Sequence, residues 1–169
     1  TVVKGNEKVL GARLEDARFF YKDDVSIPLE EYVEKLKTLT FQEKLGTVYD
    51  KTNRIMRLVE KIGGYLEVGE ETEKNLQRAS FLSKADLVTK MVTEFTELQG
   101  KIGMEYAQES GENEIVSLAI HEQYMPRFSG DELPTTTAGA ILSIGDKLDS
   151  ICGLFAIGIK PTGSQDPFA

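Results

Sequence analysis

With 169 residues and a mass of 18.8 kDa, the chain is long enough for one domain with its own core, since domains cluster near about 100–150 residues or a little above. Its 40% hydrophobic and 28% charged residues are ordinary for a globular protein and exclude long disorder and collagen-like sequence. A formal net charge of −8 argues against general affinity for nucleic acid, because most of that affinity comes from Lys and Arg neutralising phosphates.

Apolar residues recur at three- and four-residue spacing and alternating stretches are lacking, which predicts an all-α, multi-helix bundle. Asn6 is expected to cap a first helix with Val9, Leu10, Leu14, Ala17 and Tyr21 on its inner face. Ser26 precedes a second, with Pro28 in its first turn and Leu29, Val33 and Leu36 facing inward. Thr40 followed by Glu43 fits a capping box for a third helix reaching about Ile62 and closed by Gly63 and Gly64. A long fourth is expected from Glu70 to Phe95, and shorter ones over Leu98 to Gln108 and Glu114 to Tyr124. Pro126, Gly130 and Pro134 mark a loop. The last helix, Thr137 to Ile157, carries Gly139, Gly145 and Gly153; each costs roughly 1 kcal/mol relative to Ala in a helix interior, which points to close helix packing. Beyond it, Pro161-Thr162-Gly163 reads as a turn and Ser164 to Pro167 as the start of another helix. That unfinished helix, together with a first residue other than Met, suggests a piece of a longer protein.

The acidic excess lies wholly after Glu60: up to that residue 11 basic side chains meet 11 acidic ones. A locally basic surface is therefore compatible with the net charge. On the third helix, at about 100° per residue, Leu45, Val48, Ile55, Val59 and Ile62 share one side while Lys44, Lys51, Arg54, Arg57 and Lys61 fall on a neighbouring face. That face is suited to phosphates; the plainer reading is a solvated side paired with acidic neighbours. Cys152 cannot form an internal disulfide and reads as a small core residue beside Ile151 and Leu154. His121 is the single histidine, so a zinc site of several His and Cys ligands is out of reach, and a partly buried structural role suits it better than that of a base. Tyr49, Tyr106 and Tyr124 have rings able to stack on unpaired bases, although core packing is the simpler expectation. No run approaches the roughly 20 apolar residues of a membrane helix, and no signal peptide opens the chain, so the expected setting is cytoplasmic.

Three segments, GNEKVLGARLEDARFFYKDD from Gly5, FQEKLGTVYDKTNRI from Phe41 and GDKLDSICGLFAIGIKPTGSQDPFA from Gly145, together resemble the β subunit of the bacterial heterotetrameric glycyl-tRNA synthetase. SKADLVTKMVTEFTELQG from Ser83 and YMPRFSGDELP from Tyr124 fill the space between them, so the likeness runs through almost the whole chain in order. It implies an internal helical domain of the HD-superfamily type over residues 1–160, with 161–169 as linker and start of the next helix. It also implies a reaction that joins glycine to tRNA-Gly with ATP and Mg²⁺, whose adenylate chemistry sits in the α subunit while the β subunit contributes tRNA binding. Expected partners are that α subunit, the rest of the β subunit and tRNA-Gly, with no membrane; the piece alone is expected to hold no cofactor and to leave tRNA uncharged.

Active HD proteins hold a metal with an early His, an adjacent His-Asp pair and a later Asp. The resemblance places the pair at Ala85-Asp86 and the later Asp at Asp146, with the early position in GTVYDK, which has no His. Two carboxylates without imidazole partners predict no metal site. Asp86 and Asp146 are expected to face each other inside the bundle and to need a cation such as Lys84 or Lys147. The expected role is a noncatalytic module with tRNA-contact candidates Lys51, Arg54, Arg57 and Lys61. A metal-dependent HD-type phosphohydrolase and a purely structural interdomain connector are the alternatives.

Overall fold

The computed structural model describes residues 2–159, so the expected turn at 161–163, the helix start at 164–167 and the 160/161 boundary lie outside the described residues. Within them the fold is all-α apart from one two-stranded ribbon.

α1 (Val2–Asp24) is a long helix of which only the last turns join the body. Ala17, Phe20 and Tyr21 pack against the core and Asp24 is buried. The expected inner face extends too far: Val9, Leu10 and Leu14 are 61%, 61% and 70% exposed, and Asn6 lies inside the helix instead of capping it. The periodicity correctly reports an amphipathic helix, but the bundle ends before that stripe does. Leu29, Val33 and Leu36 are buried as expected, though on two short 3₁₀ turns, Leu29–Tyr32 and Glu34–Thr38, instead of an α-helix.

The third segment begins later than its first capping signal. Thr40–Gln42 (β1) pairs antiparallel with Gly46–Thr47 (β2), and Gly46 turns the chain at φ +86°, a conformation that favours glycine. Only then does α2 (Val48–Tyr65) start, on a capping box in which the Thr47 hydroxyl accepts from the Asp50 N–H and the Asp50 carboxylate accepts from the Thr47 N–H. The predicted long fourth helix is broken into α3 (Glu70–Leu82), a 3₁₀ turn Ala85–Val88 and α4 (Lys90–Glu94). At the break the Ser83 hydroxyl donates to the Ser80 carbonyl, and Thr89 caps α4 by accepting from the Val92 N–H. α5 (Lys101–Glu109), α6 (Glu114–Glu122) and α7 (Thr137–Ala156) follow as expected.

α7 is the spine, packed against α2, α3 and α6 over a core that includes Ile55, Val59, Leu76, Leu82, Ile120 and Leu142. Its glycines allow that closeness: a Cβ on Gly145 would lie 2.7 Å from Val59 Cγ1, and one on Gly139 would collide with Glu122. Glu122, in turn, accepts from the backbone N–H and hydroxyl of both Thr135 and Thr136 at the start of α7, where a carboxylate suits the helix dipole. No described helix is long and apolar enough to cross a membrane.

Candidate functional site

Where α2 crosses α7, two basic residues three apart meet two acidic residues three apart. Lys51 Nζ lies 2.9 Å from Asp146 Oδ1 and 3.2 Å from Asp149 Oδ2, and donates to Ser150 Oγ at 2.8 Å. Arg54 grips Asp149 with two nitrogens, Nε to Oδ1 at 2.6 Å and Nη2 to Oδ2 at 3.1 Å. From the 3₁₀ turn after α3, Lys84 Nζ reaches Asp146 Oδ2 at 2.7 Å. Lys51 and Lys84 side chains are only 6% and 5% exposed. Burial alone would raise the Asp146 carboxyl, but Lys84 and Lys51 overrule it and hold it at about 2. Burial pulls the Lys84 ammonium down, against the pull of Asp146.

A metal of the kind the HD resemblance implies does not fit these residues. Both oxygens of Asp146 already face ammonium groups, and a cation is repelled where two others sit. Asp86 and Asp146 both act on Lys84 and on the Tyr124 hydroxyl, but the Ala85-Asp86 pair offers a metal little. Ala85 is a core residue, and the fully buried Asp86 carboxylate accepts the Gly100 N–H at 2.6 Å. Burial raises the Asp86 carboxyl, opposed by that N–H and by Lys84. Lys84, one of the two cations expected to serve Asp146, does so; Lys147 instead donates to the Met125 carbonyl at 3.0 Å and Ser143 Oγ at 2.8 Å.

Of the four tRNA-contact candidates, Lys51 and Arg54 thus point into the α2–α7 seam, while Arg57 and Lys61 are exposed and have no ion pair among the described residues. The Lys51/Arg54 against Asp146/Asp149 match was missed by sequence reasoning, although its signal, equal spacing of opposite charges on two helices, is visible in the string.

In front of this cluster a cavity of about 600 Å³ opens between α5, α6 and α7. Tyr124, half-buried, lines it with Lys84 Nζ 4.3 Å from its ring centroid. His121 lines it too; burial first, then Lys101 and Arg127, lower its imidazole below the ordinary value, which favours the neutral ring. Tyr106 is buried, its hydroxyl donating to Asp24 at 3.1 Å, and Tyr49 packs half-buried against the core. Cys152, expected in the core, is exposed: it lies on the outward side of α7 beside Ile151, which is 52% exposed.

Residues 1–169 match the family model described as the glycyl-tRNA synthetase beta subunit. The chain is 61% identical over 168 residues to the glycine–tRNA ligase beta subunit of Clostridioides difficile (strain 630), covering 99% of this chain and 24% of that protein. It is 51% identical over 165 residues to that of Trichodesmium erythraeum (strain IMS101), covering 98% and 23%, and 49% identical over 167 residues to that of Bacillus subtilis (strain 168), covering 99% and 25%. The chain therefore spans about a quarter of the length of these relatives.

Proposed function

The chain belongs to the glycyl-tRNA synthetase beta subunit family, and on that premise we propose that it is a noncatalytic helical module supporting tRNA binding by a glycine–tRNA ligase. The whole enzyme would join glycine to tRNA-Gly with ATP and Mg²⁺ through an α subunit. The observation that carries the tRNA contact is the pair Arg57 and Lys61, exposed and without ion pairs among the described residues on the outer side of α2 in a chain of net charge −8. Lys51 and Arg54 serve it indirectly, by fixing α2 on α7.

Phosphate contacts release counterions, so each one lost flattens the salt dependence of binding. Replacing Arg57 and Lys61 by Glu in the α/β assembly is expected to weaken tRNA binding and to lower the salt slope by about 2. Glycine-dependent ATP–pyrophosphate exchange is expected to stay near wild type, because no reacting group is touched. Unchanged affinity and slope in a folded assembly would leave α2 merely solvated. The connector reading would then gain, and it has support of its own: Ile144, Leu148, Ile151 and Phe155 make an exposed apolar row along α7, each at least 41% accessible. The phosphohydrolase reading is opposed by the two lysines on Asp146.

A further inference from the structure

We infer that the cavity between α5, α6 and α7 is a binding site for a single nucleotide unit, phosphate and base together. Its volume of about 600 Å³ falls in the range of roughly 300–1,000 Å³ typical of small-molecule sites.

The charge around it favours an anion. Behind its wall, three cations, Lys51, Lys84 and Arg54, are matched by three carboxyl groups, Asp146, Asp149 and the Asp86 that acts on Lys84, so the excess comes from the lining itself. Lys101 and Lys147 line the cavity, and neither has a carboxylate within ion-pair distance among the described residues. Arg127 is matched by Asp131, so against these charges the lining adds only Glu97. In a low-dielectric recess such an excess attracts phosphate more strongly than the same charges on open surface.

The polar atoms favour a base over a bare anion. Gln123 is fully buried and lines the cavity. Its Nε2 donates to the Ser83 and Ile120 carbonyls, which fixes the amide and leaves Oε1 without a protein partner. The Tyr124 hydroxyl and His121 Nδ1, on the same wall, are likewise buried and unpartnered. Buried polar groups are normally satisfied. An acceptor, a hydroxyl and a ring nitrogen together match the mixed donor and acceptor edge of a nucleobase, whereas phosphate alone has no use for Gln123 Oε1. Ile151 and Pro126 add apolar wall for its faces.

The nucleotide can be free in solution or an unpaired member of an RNA strand. Assigning the strand to tRNA rests on the proposed function; the site itself does not.

The test titrates the 169-residue chain with the four nucleoside monophosphates, their nucleosides, inorganic phosphate and a single-stranded RNA pentamer, reading amide NMR shifts. At least one monophosphate is expected to shift the amides around Tyr124 and Gly100, more than its nucleoside or phosphate does. Lys101→Ala changes an exposed residue without ion pairs. It is expected to weaken monophosphate and inorganic phosphate about tenfold, as loss of one charged contact does, and to leave the nucleoside unchanged. Tyr124→Phe, which keeps the ring, is expected to weaken monophosphate and nucleoside but not phosphate. A pentamer far tighter than the monophosphate identifies a strand; equal affinity identifies a free nucleotide. The site is overturned if no monophosphate moves these amides up to about 10 mM, well past the millimolar range of weak specific binding, or if neither variant alters binding in a folded chain. Weakened tRNA binding in the Arg57/Lys61 variant alongside a silent cavity overturns the cavity alone; the reverse overturns the α2 face alone.

Discussion

Removing the Asp146 carboxylate leaves the buried Lys84 ammonium without its ion-pair partner, while Lys51 keeps only Asp149, and a lone buried charge is costly even where an intact pair contributes little. Asp146→Asn, close to isosteric, is therefore expected to lower stability by about 3–5 kcal/mol at neutral pH, measured by urea unfolding. The pH dependence has a definite sign. A carboxyl held below its ordinary value, here at about 2, contributes stability that is fully present above about pH 4. That stability is lost as pH falls through about 2. Wild type should lose stability across this window and Asp146→Asn should lose less, so the two curves converge in acid. Parallel curves would show that the lysines do not depend on Asp146. At the same scale, Asp24 was invisible in the sequence: the second of two adjacent acids after Lys22, it is buried and accepts from the Lys90 and Met91 N–H groups, contacts that only the folded chain brings together.

Among elements, α2 shows both what was legible and what was not. Its register and apolar face follow from the string, whereas Gly63 and Gly64, expected to close it, lie inside a helix that runs on to Tyr65; and two Thr-x-x-acid signals compete for its start, Thr40 with Glu43 and Thr47 with Asp50. The second wins because Gly46 adopts φ +86° and folds residues 40–47 into a ribbon, a tertiary choice that local pattern does not encode. Thr47→Ala is accordingly expected to cost about 1 kcal/mol, the usual worth of an N-cap, while Thr40→Ala, at an exposed strand position, should stay within about 0.5 kcal/mol. Equal costs would put the helix start back at Thr40. The same limit explains the broken fourth helix: its periodicity continues through Ser83 and Lys84, yet Lys84 turns aside to meet Asp146 and Asp86 to meet Gly100. In the candidate site, residue types were legible and directions were not, since the seam that takes Lys51 and Arg54 away from solvent exists only once α2 lies on α7.

For the molecule as a whole, the telling contrast is between a bundle with one shared core and the first half of α1, whose Val3, Val9 and Leu10 are each at least 61% exposed. Helical stability in proteins comes mostly from packing, and an isolated helix shorter than about 12–15 residues is marginal in water. Contact begins near Arg13, whose guanidinium sits 5.2 Å from the Phe95 ring centroid, and becomes firm at Tyr21, with its ring 5.5 Å from that of Tyr106. In the chain studied alone, amides before Arg13 are expected to exchange with solvent far faster than those of Tyr21 to Asp24 or of α7, which should exchange only through cooperative opening of the bundle. By the same reasoning Leu10→Gln and Leu14→Gln should leave the unfolding midpoint almost unmoved, within the effect of about 0.5 kcal/mol typical of surface changes. The two measurements constrain each other. Strong protection along all of α1, together with a large loss of stability on replacing Leu14, would mean that the helix is covered even in the isolated chain, for instance by a second copy. Fast exchange with no loss would show instead that the bundle is self-sufficient and that this apolar stripe contributes nothing to its stability.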